Sequence, residues 1–377
     1  MAMNERSNTQ SLDLNGHISR ACPAYAETGA EIVGTTDDGT AGTGPGAAPG
    51  QRRRGRTRRA ATAGALLAAA VTLSLAAGCS SGRGGPDDGQ GHTAGQSPSP
   101  TTSRGHTGPV LAVKIDNVVP ARPQTGLNAA DIVYAEQVEG GLSRLMAVYA
   151  TRLPPVVGPV RSARESDLEL LRQFDHPVLA FSGAQSKLLP LIDAAPVKAE
   201  SADSEPGAYF RGSGKPAPHN LFLRPARLLG SPPGAGALTT GFRYGPAPSG
   251  GRAETSRTVR YPAARFTFTW SAQRHGWQVA MDGTPTVTTD GGPVTPATVV
   301  VQHVKVRRSS LHDFLGNYTP YTETVGSGKA EVLRDGRVHD VTWKRPGAAD
   351  GTSLTAADGT PVNLARGQVW VVLTADE

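Results

Sequence analysis

Cysteine is nearly missing: Cys22 and Cys79 are the two in 377 residues. That count excludes a disulfide framework, and pairing them would tie an unpatterned leader to the end of an apolar run. Aromatic residues make up 5% of the chain and fall almost entirely after Tyr134. The sequence has no G-x-S-x-G elbow, P-loop, dinucleotide fingerprint or H-E-x-x-H, and Gly141-Leu142-Ser143 lacks the second glycine of the elbow. The basic residues behind the net charge of +6 are dispersed rather than striped, so the clustered face that nucleic acid requires is absent. His92 and His106 are isolated, and the spacing of His303, His312 and His339 identifies no metal. Neither a metal nor another cofactor is expected.

What is present begins with a targeting pattern. Residues 1–51 are rich in Gly, Ala, Thr and Pro and read as a disordered leader, which a start site assigned too far upstream would add. Residues 52–79 read as a signal peptide: a basic stretch Arg52–Arg59, an apolar stretch Ala60–Ala77, and small residues before Cys79. Leu75-Ala76-Ala77-Gly78-Cys79 resembles a bacterial lipobox, with Ala76 where leucine is commonest. The resemblance implies cleavage before Cys79, a diacylglyceryl group on its sulfur, and attachment to the outer face of the cell membrane by more than one acyl chain. An uncleaved signal anchor and conventional cleavage are the alternatives. Thr57-Arg58-Arg59 resembles the start of a twin-arginine signal without its Phe-Leu, so the export route stays open. Residues 80–108 form a Gly/Ser/Pro tether that lifts a folded body off the membrane.

Glycine is densest before the body, with 19 of 46 in residues 1–108, and the body starts near Pro109. Aliphatic runs at Val110–Asn117, Ala130–Val138, Arg144–Ala150 and Pro177–Ala184 read as strands covered on both faces. Helical patterns at Leu168–Phe174 and Ser186–Ile192 alternate with them, which predicts a mixed α/β (or α+β) domain over 109–230. A Pro/Gly-rich connection covers 231–262. Over 263–377, alternating segments and Asp-Gly turns predict a mainly antiparallel β domain. Trp270, Trp277, Trp343 and Trp370 suit a carbohydrate platform or, as alternating strand residues, the core.

The stretch Val157–Arg164 (V-G-P-V-R-S-A-R) organises the first domain. Arg161 and Arg164 precede a helix whose N-terminal dipole they do not favour, so they suit an anion held bidentately. The competing reading pairs them with Glu136, Glu139, Glu165 or Asp167. Ligands of parallel sheets sit beyond strand carboxyl ends, which collects Asp116, Asn117, Arg161–Arg164 and Ser182-Gly183 at one edge. His219 and Asn220 lie in a Pro-flanked loop that suits a site as well as local hydrogen bonding.

The ordered motifs K-I-D-N, A-R-P-Q-T-G-L, A-D-I-V-Y, E-G-G-L-S-R, G-P-V-R-S-A-R, S-G-A and A-P-H-N resemble the YerB-type lipoproteins. The resemblance runs from about Pro109 to the C-terminus and includes W-K-R and G-Q-V-W-V-V-L. It implies an anchored extracytoplasmic protein with a two-part body, and it supplies no catalytic residues. Three functions are compatible with the residues. One is a module binding cell-wall glycan, a peptide carboxylate or an envelope protein through Arg161, Arg164, Asn117, Ser182, His219 and Asn220. Another is an envelope hydrolase or transferase with His219 as base and Asp116 as its orienting group or acid. The last is a scaffold for envelope partners. The residues favour binding over catalysis.

Overall fold

Period-two alternation with buried residues on both faces makes strands, and strands dominate this chain. The structure, a computed structural model, describes residues 108–313 and 316–376. The leader, the signal peptide with Cys79, and the tether up to residue 107 lie outside the described residues.

In the first half the strands are β1 (Leu111–Asp116), β2 (Ile132–Gln137), β3 (Ser143–Tyr149), β4 (Val178–Phe181), β5 (Lys198–Ser201), β6 (Tyr209–Arg211) and β7 (Leu221–Leu223). Then come β8 (Arg252–Ala253), β9 (Ser256–Tyr261), β10 (Ala264–Ser271), β11 (Gly276–Met281) and β12 (Thr284–Pro285). The last group is β13 (Thr298–Val304), β14 (Val306–His312), β15 (Tyr318–Thr322), β16 (Gly326–Arg334), β17 (Arg337–Arg345), β18 (Ser353–Thr355) and β19 (Val369–Ala375). Among the described residues the α-helices are α1 (Glu165–Leu171) and α2 (Leu189–Ala194), seven and six residues long.

The main sheet has eleven strands, ordered β18-β17-β16-β13-β19-β2-β3-β1-β4-β5, with β8 paired to β17. The segments 109–230 and 263–377 therefore share one sheet. Their junction is β19, the last strand of the chain, which runs parallel to β13 on one side and to β2 on the other. The expected α/β character of the first domain is corrected here. Its β1, β2 and β3 form an antiparallel meander, and parallel pairing within it is confined to β1-β4-β5. The helices are too short to supply a covering layer. α1 ends at Leu171, ahead of Pro177, and α2 stops at Ala194, two residues before Pro196.

One face of the sheet packs on the four-stranded sheet β12-β11-β10-β9. Leu111, Val113, Ile115, Val133, Leu145 and Trp370 meet Phe266, Phe268, Trp277 and Met281 there. The opposite face gathers Ala112, Ile132, Met146 and Val148 with Leu170, Leu171 and Phe174 in and after α1. Trp277 and Trp370 are fully buried, Trp343 is buried, and Trp270 packs against the core. The aromatic residues are thus core, and the carbohydrate-platform reading loses its residues.

Candidate functional site

Alternation along β1 decides which side chains meet. Leu111, Val113 and Ile115 enter one core, while Ala112, Lys114 and Asp116 face the α1 side. On that side β2 presents Glu136 and β3 presents Arg144, each in register with the other and Arg144 also with Asp116. Beyond Val113, β1 loses β4 as its neighbour and pairs with the segment Pro159–Arg161 instead. Asp116 N–H donates to the Pro159 carbonyl and Arg161 N–H to the Lys114 carbonyl, both at 2.9 Å. Ser182 N–H donates to Arg161 O and Ala163 N–H to Gly183 O, each at 3.1 Å. Val157–Arg164 is therefore wedged between the carboxyl ends of β1 and β4.

Asp116 is the hub. Its carboxylate is 1% exposed, and Oδ2 accepts from His219 Nδ1 at 2.8 Å while Arg161 Nε stands 3.4 Å from the same oxygen. A carboxylate oxygen accepts, so Nδ1 carries the shared proton and Nε2 is left without a partner among the described residues. Arg161 is 24% exposed, and its two terminal nitrogens have no partner among the described residues. Ser162 and Ser182 hydroxyls lie 3.4 Å apart beside them.

Arg164 does not join this group as an anion donor, which corrects the two-arginine clamp. Its Nε and Nη2 hold Glu139 Oε2 at 3.0 and 2.7 Å, and its Nη1 donates to the carbonyls of Ser162 and Ala163. The acidic-partner reading describes Arg164. Glu139 also accepts from Thr319 of β15 at 2.6 Å. Burial pushes the Glu139 carboxyl upward, but Arg164 and Thr319 outweigh it and hold it below its ordinary value. The helix end is no anion seat either, since Asp167 Oδ2 takes the Arg164 N–H at 2.7 Å.

Asn117 and Asn220 are likewise engaged elsewhere. Asn117, on the opposite face, donates to Ser143 at 2.8 Å and accepts from Gln124 at 2.9 Å and Arg122 at 3.3 Å. Arg122 continues to Asp282 at 2.8 Å, tying this loop to the β11–β12 turn. Asn220 bonds Arg211 and the Gly212 carbonyl, closing the β6–β7 ribbon below His219. Gly126 allows the A-R-P-Q-T-G-L loop to turn, with φ +78° and a Cβ position only 2.5 Å from Val156 O.

Two residues near the hub escaped the sequence reading. Lys114, fully buried, pairs with Glu136 and, at 2.6 Å, with Asp167; Ser166 donates to Glu136 at 3.0 Å. Burial raises the Glu136 carboxyl to about 7, with Lys114 opposing and Asp167 adding to the rise. Arg144 is 8% exposed, and burial together with Arg164 and Arg161 lowers it to about 9 against the pull of Asp116. The available signal was a charged residue inside an otherwise apolar strand: Lys114 and Asp116 in β1, Glu136 in β2 and Arg144 in β3.

Cavities of about 460 Å³, by Asp131, Arg152, Tyr244 and Arg366, and about 220 Å³, between Gln185–Lys187 and Leu311–Asp313, do not include the hub residues. Among the described residues no group of three His, Cys, Asp or Glu is placed to hold a metal ion, and no helix is long and apolar enough to cross a membrane.

The segments that meet at Asp116 are those matched by known proteins. Residues 95–237 match the model described as "Protein of unknown function (DUF3048) N-terminal domain", and residues 257–371 match its C-terminal counterpart. "Putative lipoprotein YerB" of Bacillus subtilis (strain 168) is 24% identical over 276 residues, covering 71% of this chain and 81% of that protein. The crystal structure of YerB from Bacillus subtilis superposes with a TM-score of 0.59 at 20% identity, over 71% of this chain and 91% of that one. At that identity the superposition speaks for the fold. With both family segments matched in order, the chain belongs to the DUF3048 family, the YerB-type proteins.

Proposed function

We propose that the protein is an envelope lipoprotein, held through Cys79 on the extracytoplasmic face of the membrane, whose body binds an anionic group with Arg161 and His219. The observation that carries this reading is the shared oxygen of Asp116. Oδ2 takes Arg161 Nε and His219 Nδ1 together, which fixes both side chains and leaves their outer nitrogens for a ligand. Of the three arginines in the cluster, Arg164 is committed to Glu139, Arg161 keeps its terminal nitrogens free of partners among the described residues, and Arg144 has no ion pair among them. Cell-wall glycan substituents and peptide carboxylates supply anionic groups, and the name of the Bacillus relative supports the anchored setting.

The same bond supports a second reading. A buried Asp holding His Nδ1 is how an imidazole is oriented as a general base, with Arg161 placed to stabilise developing negative charge. Titration of the full-length chain with wall fragments and small anions, beside Arg161→Ala, separates the readings. Saturable binding lost in the variant supports the binding module. Fragment turnover that disappears in His219→Ala moves the assignment to a hydrolase or transferase. A folded protein that binds none of them leaves a scaffold for envelope partners.

A further inference from the structure

We propose that the group bound at this site is a terminal phosphate, and that Arg144 supplies the donors that distinguish it from a carboxylate. The inference rests on the anion-binding reading above. Arg144 opens the β3 ladder directly across from Asp116, so the two side chains leave the same face as neighbours. It is more than nine-tenths buried, yet no carboxylate lies within ion-pair distance of it among the described residues. Nη1 donates to Ser162 O at 3.2 Å, a carbonyl already shared with Arg164. Nε is buried without an acceptor, and Nη2 has none among the described residues. The whole Nε–Nη2 edge, the edge with which arginine forks an oxyanion, is unused.

The neighbouring acids are engaged elsewhere or out of reach. Glu139 is taken by Arg164 and Thr319 and Glu136 by Lys114 and Ser166, while Asp116 gives Oδ2 to His219 and Arg161 and brings neither oxygen within ion-pair distance of Arg144 among the described residues. Buried charged donors are rarely left unmade in native proteins without a reason. Three separate elements then offer unused nitrogens around Asp116: Arg144 from β3, Arg161 from the wedged segment, and His219 from the loop after β6. A carboxylate has two coplanar oxygens, which a single guanidinium fork satisfies. A terminal phosphate has three outer oxygens in a tetrahedral array and up to two negative charges, so it can accept from three directions at once.

The test uses the full-length chain and four probes at constant ionic strength: inorganic phosphate, methyl phosphate, dimethyl phosphate and acetate. Calorimetry should give phosphate affinities about tenfold or more above those of acetate and dimethyl phosphate. Arg144→Lys should lower phosphate affinity by about the same factor while acetate changes less than about twofold. Binding of both inorganic and methyl phosphate identifies a phosphate monoester, and binding of inorganic phosphate alone identifies free phosphate; either supports the inference. In ¹H–¹⁵N spectra of the wild type, the Arg144 Nε–H resonance, assigned by its loss in Arg144→Lys, should move as phosphate saturates the site. Equal affinity for acetate and phosphate, or saturation with an unmoved Arg144 resonance, overturns the role of Arg144. Failure of every anion to bind overturns the anion-binding reading itself.

Discussion

His219 and Asp116 are separated by 103 residues and joined by a 2.8 Å hydrogen bond from imidazole Nδ1 to carboxylate Oδ2. Asp116 is fixed independently of His219. Its N–H donates to Pro159 O, its own carbonyl accepts from Gln124, and Arg161 leans on the same carboxylate oxygen. A loop residue is thereby oriented by a strand that belongs to the core, which is how an irregular segment acquires a defined side-chain geometry.

Replacing Asp116 with Asn should therefore cost stability and site order together. The substitution leaves Arg161 and Arg144 without their compensating charge in a largely buried place, a loss of roughly 2 kcal/mol or more. Urea unfolding of the variant beside the wild type measures it. A variant as stable as the wild type would remove Asp116 from the centre of the network.

Arg161 and Arg164, three residues apart, should behave as opposites. Arg164→Ala removes the ion pair to Glu139 and the donor to Ala163 O, and should destabilise the fold by about 2 kcal/mol while the folded protein still binds anions. Arg161→Ala should lose anion binding with a stability change below about 1 kcal/mol, since its ion pair with Asp116 is partly exposed. Thermal unfolding and calorimetry on the two variants give the comparison.

Glu136 predicts a pH dependence. Burial raises its carboxyl from 4.5 to about 7 in the folded state. The folded state then holds a proton that the unfolded state has released, so the Glu136 contribution to stability falls as pH rises from about 4.5 to 7. Glu136→Gln should flatten the stability profile across that window, by on the order of a few kcal/mol. Chemical denaturation at pH 5, 6 and 7 of both proteins checks the slope.

The position of β19 predicts that the body cannot be halved. Val369–Ala375 pairs along β13 through seven positions and along β2 through four. Deleting the chain from Val369 onward should abolish cooperative unfolding of the first half as well as the second, read by circular dichroism and amide spectra. A truncated chain with native-like spectra would mean that the two halves fold separately.

Much of the local structure was legible. The aliphatic runs that start at Val110, Ala130 and Arg144 contain strands, because short near-continuous stretches of aliphatic and β-branched residues suit strands covered on both faces. The Asp335-Gly336 turn joins β16 to β17 as expected of such a pair. The helices were overestimated, since an apolar run of seven residues satisfies a helical pattern without making a layer. In the site, Asp116, Arg161 and His219 stood out by residue type and context. Lys114 and Arg144 did not, because a charge inside an apolar run looks like a solvated position until the opposing strand is known.

The sequence by itself determined the strands, their buried faces, the family motifs and the targeting pattern before Cys79, all of which depend on residues near one another in the chain. The tertiary structure decided what those residues do together. Register put Arg144 opposite Asp116, the return of the chain at β19 merged two segments into one sheet, and partner choice assigned Arg164 to Glu139 while leaving Arg161 unpaired at its tip among the described residues. Charges choose partners by distance and burial, and those are set by contacts between residues far apart in sequence.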